Sequence, residues 1–109
     1  KLLSTQGHAE LVHMEERLRK VLVEKELQLV MDLLTQAAVT GSIDQPTAQA
    51  LCHRNDIPKE AWRRILPELF AMLEHDGYLK ALPGGKYMFV SNLLQKWWRG
   101  RFEAFYEAV

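Results

Sequence analysis

One triplet in this chain, Gly84-Gly85-Lys86, has residue types that bind phosphate in other proteins. A phosphate-binding loop also needs an earlier glycine, a Ser or Thr after the lysine, a strand before the loop and a helix after it. The triplet lacks the earlier glycine and the Ser or Thr, and a second predicted strand follows it in place of the helix. We therefore interpret it as the turn of a β-hairpin and predict no nucleotide site here.

The four histidines and the single cysteine, Cys52, do not form the pattern of a metal site. No two histidines stand four apart on one predicted helix with a carboxylate partner, and neighbours such as Cys52 and His53 point apart on a helix. One cysteine gives neither an internal disulfide nor a cysteine-based zinc site. No nucleophile-elbow sequence is present. We predict no catalytic residue, no metal site and no cofactor; the histidines are His8, His13, His53 and His75.

Basic residues cluster at the start of the helix predicted from Pro58 to Asp76. In a helix-turn-helix this helix enters the major groove through its N-terminal residues, and a wing lysine adds a phosphate contact. The alternative is a solvated polar face, because Asp56 and Glu60 lie among the cations and would repel phosphates. The candidate DNA-binding residues are Lys59, Arg63, Arg64 and Lys86.

The adjacent pair Trp97-Trp98 is the strongest local feature of the last predicted helix. Neighbouring positions on a helix point about 100° apart. One indole is therefore expected in the core and the other at the edge of the buried face. Either the pair serves only the core, or its edge indole, with nearby arginines, also contacts another domain. The candidate interface residues are Trp97, Trp98, Arg99 and Arg101.

The pattern of apolar residues predicts the elements that would position these side chains. Two helical stripes, beginning at Leu11 and at Leu27, indicate two helices joined near 22–26 or one bent helix. Thr40-Gly41 ends the second, a brief strand follows at 42–44, and Asp44 or Gln45 opens a short helix before Pro46. Asp56 or Ile57 is expected to precede the next helix, with Pro58 in its first turn. Two strands, 78–82 and 86–90, flank Pro83-Gly84-Gly85, and Ser91 or Asn92 caps a final helix running through Phe105.

This order of elements predicts a mainly α-helical fold with a small β-hairpin wing, a winged helix-turn-helix. We assign residues 1–22 to a leading helix. Residues 23–109 form the winged-helix domain with its closing helix. Because the chain starts at Lys1 and looks helical to its last residue, we expect one compact unit that belongs to a longer protein.

Charge and hydropathy narrow the class of partner. The 109 residues carry 14 basic and 14 acidic side chains, so no overall field favours nucleic acid or a membrane. Residues 53–101 hold nine Lys or Arg against five Asp or Glu, a local difference of +4. No apolar run approaches the roughly 20 residues of a membrane span. We expect a cytoplasmic protein that does not bind membranes.

The last third resembles the C-terminal winged-helix domain of prokaryotic ATPases, the archaeal-type AAA and STAND-like NTPases. Asn92 stands where proline is common in that family. The resemblance covers about 35 of the 109 residues. The residues that carry it are Leu69 and Leu73, then Gly77-Tyr78-Leu79, Gly85-Lys86-Tyr87-Met88-Phe89 and Ser91-Asn92-Leu93-Leu94-Gln95-Lys96-Trp97-Trp98.

This resemblance implies a non-enzymatic module of a multidomain NTPase whose ATP-binding site lies in another part of the parent protein. The expected partner is the ATPase domain of the same chain or a separate protein. The alternative is a winged-helix domain, of that NTPase or of a transcription regulator, that binds double-stranded DNA. An enzyme in its own right is a third and weaker hypothesis, since the chain has no predicted active site.

Overall fold

Helices form most of the described chain. The computed structural model describes the backbone of residues 2–109 and the side chains of residue 9 and residues 11–109. The leading-helix prediction also included Lys1, which lies outside the described residues. In chain order the elements are α1 (Leu2–Val21), α2 (Glu24–Thr40), α3 (Gln45–Arg54), α4 (Lys59–His75), β1 (Leu79–Leu82), β2 (Lys86–Phe89) and α5 (Asn92–Phe102), followed by a 3₁₀ turn at Glu103–Phe105.

The predicted fold class is confirmed: the arrangement is winged-helix-like, with an antiparallel hairpin after α4. β1 and β2 pair in the register Leu79↔Phe89. The brief strand expected at 42–44 is a single residue, Ile43, which exchanges two 2.9 Å backbone hydrogen bonds with Tyr87. Both Gly84 and Gly85 have positive φ, which only glycine adopts at little cost, so the wing turn explains the glycine pair.

Capping residues set the helix boundaries. Gly41 ends α2 with φ +93° and donates its backbone N–H to Ala37. The Asp44 carboxylate accepts from the Thr47 N–H at the start of α3, and the Ser91 hydroxyl accepts from the Leu94 N–H at the start of α5.

The prediction that Asp56 or Ile57 stands directly before α4, with Pro58 in its first turn, is wrong by one residue. Pro58 occupies the capping position, and Lys59 is the first helical residue. Asp56 lies in the tight connection between the helices with a left-handed φ of 59°, which is not the extended backbone of a helix N-cap.

The core surrounds α2. From Leu33 to Ala38 every residue of α2 is buried, because α3, α5 and the hairpin cover it from different sides. Trp98, Phe70 and Phe89 are the largest buried side chains. Three residues expected on the apolar stripes, Val21, Leu93 and Phe105, are exposed instead. Val21 ends α1, where the chain turns, and Phe105 follows the end of α5, where the 3₁₀ turn rotates it away from the buried face.

Candidate functional site

No cluster of three potential metal ligands occurs among the described side chains, and none of their buried polar atoms lacks a hydrogen-bond partner. The side chain of His8 lies outside the described residues. Burial raises the pKa of the Cys52 thiol to about 11, so this cysteine stays protonated and is a weak nucleophile.

No helix in the described part of the chain is long and apolar enough to span a membrane.

The first candidate surface is a groove between α3 and α4, which we call the α3–α4 groove. Its volume is about 380 Å³. Trp62 is half-buried there and donates its indole N–H to the Ile57 carbonyl at 2.9 Å. The groove brings two of the predicted DNA-binding residues together with two glutamines. Its lining residues are Gln45, Gln49, Lys59, Trp62, Arg63, Leu66 and Pro67.

The other two predicted DNA-binding residues do not line this groove. Arg64 is on the exposed side of α4 and lies 3.8 Å from the Glu68 carboxylate, in an i,i+4 ion pair. Lys86 lines a different, polar recess with Asp44 and Thr47. Hydrogen bonds from Thr47 and the nearby charge of Lys86 lower the pKa of Asp44. The four predicted cations therefore do not line one common groove.

The wing turn is attached to α3 at the edge of the α3–α4 groove. The Gln45 side-chain amide donates to the Gly85 carbonyl at 2.9 Å. Gln45 has no charge, and its residue type gave no sign in the sequence that it would connect the two elements. The α3–α4 groove thus has a fixed border on the wing side.

One tryptophan of the adjacent pair lies in the core and the other at its edge, as the helical spacing predicted. The structure shows that Trp98 is the core residue and Trp97 the edge residue. Trp98 has no exposed surface, and its indole N–H donates to the Thr35 hydroxyl at 2.9 Å. That hydroxyl in turn donates to the Met31 carbonyl. Of the two candidate interface tryptophans, Trp98 is therefore enclosed by its own domain, whereas Trp97 keeps part of its surface exposed.

The second candidate surface is an apolar groove beside Trp97, which we call the α1–α5 groove. Trp97 is half-buried, Leu93 is 39% exposed, and the groove has a volume of about 470 Å³. Lys96 and Arg101 provide its cations. The described lining residues are Leu11, Leu93, Lys96, Trp97, Gly100 and Arg101.

Both arginines predicted at the interface make ion pairs within the domain. Arg99 contacts Glu103 at 3.1 Å. Arg101 contacts Glu15 on α1 at 2.9 Å and so connects the two helices that form the α1–α5 groove. Burial alone would raise the pKa of Glu15, but hydrogen bonds from Arg101 and Arg19 outweigh it and the pKa is lowered.

We predict that Glu15→Gln reduces the free energy of unfolding by about 0.5–1 kcal/mol at pH 7, since its arginine partners are partly in solvent. Because the folded-state pKa is below the usual 4.5, this stability is present above pH 4.5 and disappears as the pH falls through the folded-state value. Urea unfolding at pH 7 and pH 3 measures the difference. The exposed neighbour Glu16→Gln is the control, and an equal loss for Glu15→Gln at both pH values would contradict the assignment.

Sequence reasoning missed the polar residues of α2. Thr35 and Gln36 are the only buried polar residues among the described side chains, at 3% exposure each. Their partners lie about 60 to 70 positions away, in α5 and after it. The only local signal was a Thr-Gln pair within an apolar helix.

Comparisons of the chain with protein-family models, with curated proteins and with solved structures found no match.

Proposed function

We propose that this chain is a non-enzymatic winged-helix module of a multidomain NTPase and acts through contact with the NTPase domain of the same protein. The observation that carries the proposal is the α1–α5 groove, where Trp97 and the partly exposed Leu93 form an apolar floor next to Lys96. Interface centres favour an aromatic anchor with a polar rim. The resemblance of the last third to NTPase winged-helix domains supplies the identity of the partner.

The charge distribution on α4 favours protein contact over DNA. Along the exposed side of this helix, Lys59 is followed by Glu60, and Arg64 is paired with Glu68. Alternating charges attract and repel a phosphate backbone in turn, whereas domains that bind DNA present a mostly basic face.

Trp97→Ala tests the proposal. An aromatic anchor at the centre of an interface typically contributes about 2 kcal/mol or more, so docking on the NTPase domain should weaken roughly thirtyfold. We expect the nucleotide-hydrolysis rate of the complete protein to change with it. The measurements are a titration of the 109-residue chain with the NTPase domain and a turnover assay of the complete protein.

The matched control is Trp62→Ala, because Trp62 is also half-buried but lies in the α3–α4 groove. It should leave docking unchanged. The 109-residue chain alone should not hydrolyse ATP. Either turnover by the isolated chain that is lost in Lys86→Ala, or a complete protein without any NTPase activity, would overturn the proposal.

Binding of double-stranded DNA is the second candidate, because the α3–α4 groove places Lys59 and Arg63 beside Gln45 and Gln49. Each phosphate contact contributes about 0.9 to the log–log dependence of affinity on salt. With Lys59 and Arg63, the two cations of the groove, in contact, the slope should be roughly −1.8.

Arg63→Ala should then reduce the magnitude of this slope by about 0.9, while Lys86→Ala should leave it unchanged because Lys86 lines another recess. Fluorescence anisotropy with duplex DNA at several salt concentrations gives both numbers. Absence of binding at low salt would eliminate this candidate. Tight, sequence-selective binding at physiological salt would instead place DNA ahead of the protein partner.

A further inference from the structure

The segment after α5, residues 103–109, lies across α2 and α3 without forming part of either. Tyr106 has extended backbone angles, φ −122° and ψ 135°. The hydrogen bonds of this segment to α2 and α3 come from two side chains, Gln36 on α2 and Arg54 at the end of α3. We call the surface formed by Gln36 and Arg54 the tail site.

The Gln36 side-chain amide pairs with both backbone polar groups of Val109, as a neighbouring β-strand would. Its amide oxygen accepts from the Tyr106 hydroxyl and from the Val109 N–H at 3.0 Å, and its NH₂ group approaches the Val109 carbonyl at 3.5 Å. The same side chain is 97% buried, since its exposure is 3%. A buried amide without partners is costly, and these partners all come from the tail.

Arg54 provides the second half of the tail site. It donates to the Glu107 carbonyl at 2.7 Å, and its guanidinium carbon lies 5.6 Å from the centre of the Tyr106 ring. Burial, together with the charge of Asp32, raises the pKa of Tyr106 to about 12, so the hydroxyl keeps the proton that it donates to Gln36.

The apolar contribution to this contact is small. Tyr106 is half-buried, but Phe105 is 92% exposed and Val109 is 54% exposed. Glu107 and Ala108 are exposed as well. A segment that buries one ring and is otherwise held by polar groups is expected to open at a much lower free energy than the core.

We propose that the tail site is a binding site for an extended peptide segment, and that Tyr106–Val109 occupies it as an exchangeable ligand. The site recognises a tyrosine hydroxyl and, three residues later, the backbone N–H and carbonyl oxygen of one residue. Recognition of backbone groups tolerates different side chains at the positions between, as in strand-addition modes of peptide binding. This proposal is independent of the proposed function, because it uses neither the α1–α5 groove nor the α3–α4 groove.

Hydrogen exchange and peptide titration of the full 109-residue chain test the proposal by NMR. The Val109 amide should exchange at least about a hundredfold faster than the amide of Leu33 in the core, as expected for local opening. The probe is the peptide EAFYEAV with an amidated C-terminus. We expect it to shift the side-chain NH₂ signal of Gln36 and not that of Gln95, which donates to the Ala38 carbonyl elsewhere.

Tyr106→Phe distinguishes exchange from unspecific contact. In the protein, this substitution weakens the resident tail, so the peptide concentration for half-saturation should fall by roughly fivefold, the usual effect of one hydrogen bond. In the peptide, the same substitution should raise that concentration by a similar factor. Val109 exchanging as slowly as Leu33, or no shift of the Gln36 signal in Tyr106→Phe at millimolar peptide, would overturn the proposal.

Discussion

Trp98→Ala should lower the free energy of unfolding by about 3–5 kcal/mol, the usual cost of removing a large aromatic side chain from a core. Trp98 is fully buried, and its ring packs against Phe102 at a centroid distance of 4.6 Å. The truncation would also remove the indole donor to Thr35. Chemical denaturation of the wild type and the variant measures the loss.

Two further variants separate the causes of this effect. Trp98→Phe keeps most of the apolar volume and loses the indole hydrogen bond, so we expect about 1–3 kcal/mol. Trp97→Ala should cost much less than Trp98→Ala, because Trp97 is only half-buried. Equal losses at the two positions would mean that α5 does not pack as described.

Phe70→Ala should also cost about 3–5 kcal/mol. Phe70 is 2% exposed on α4 and stacks on Tyr87 of β2, with ring centroids 4.2 Å apart and planes within 4° of parallel. Tyr87 is also the residue that pairs with Ile43. The substitution therefore removes core volume and one of the contacts between the wing and α4.

The control for Phe70→Ala is Tyr87→Phe, which keeps the stacked ring and removes only a hydroxyl. We expect it to change the free energy of unfolding by less than about 1 kcal/mol. Hydrogen exchange of the hairpin amides should accelerate in Phe70→Ala and stay unchanged in Tyr87→Phe. A Phe70→Ala variant with wild-type stability would show that the wing does not depend on this stack.

The sequence by itself was sufficient to predict the order of the helices and strands and where most of them begin and end. Helix caps and hairpin turns depend on residues within four positions of one another, so their signals are local. Asp44 and Ser91, each one of two residues predicted as the possible cap, do cap helices, and Gly84 and Gly85 form the wing turn. The prediction of the residue before α4 was wrong because Asp56, a common capping residue, adopts a left-handed backbone conformation instead.

Only the tertiary structure showed which residues of α2 are buried outside its predicted apolar stripe. The pattern of α2 predicted a single buried side, yet Leu29 and Leu33 are also fully buried. A helix in the middle of a domain is covered from several directions, and its sequence does not say which neighbours cover it. For the same reason the spacing of Trp97 and Trp98 predicted one core and one edge residue but not which was which.

The candidate surfaces were decided almost entirely by tertiary structure. Composition and spacing grouped Lys59, Arg63 and Lys86 as one basic face, but the fold directs Lys86 into a recess with Asp44. The tail site joins Gln36 to Val109, 73 positions later in the chain. Local physics fixes how each element begins and ends, whereas a site made of distant side chains exists only after packing has chosen which sides of the elements meet.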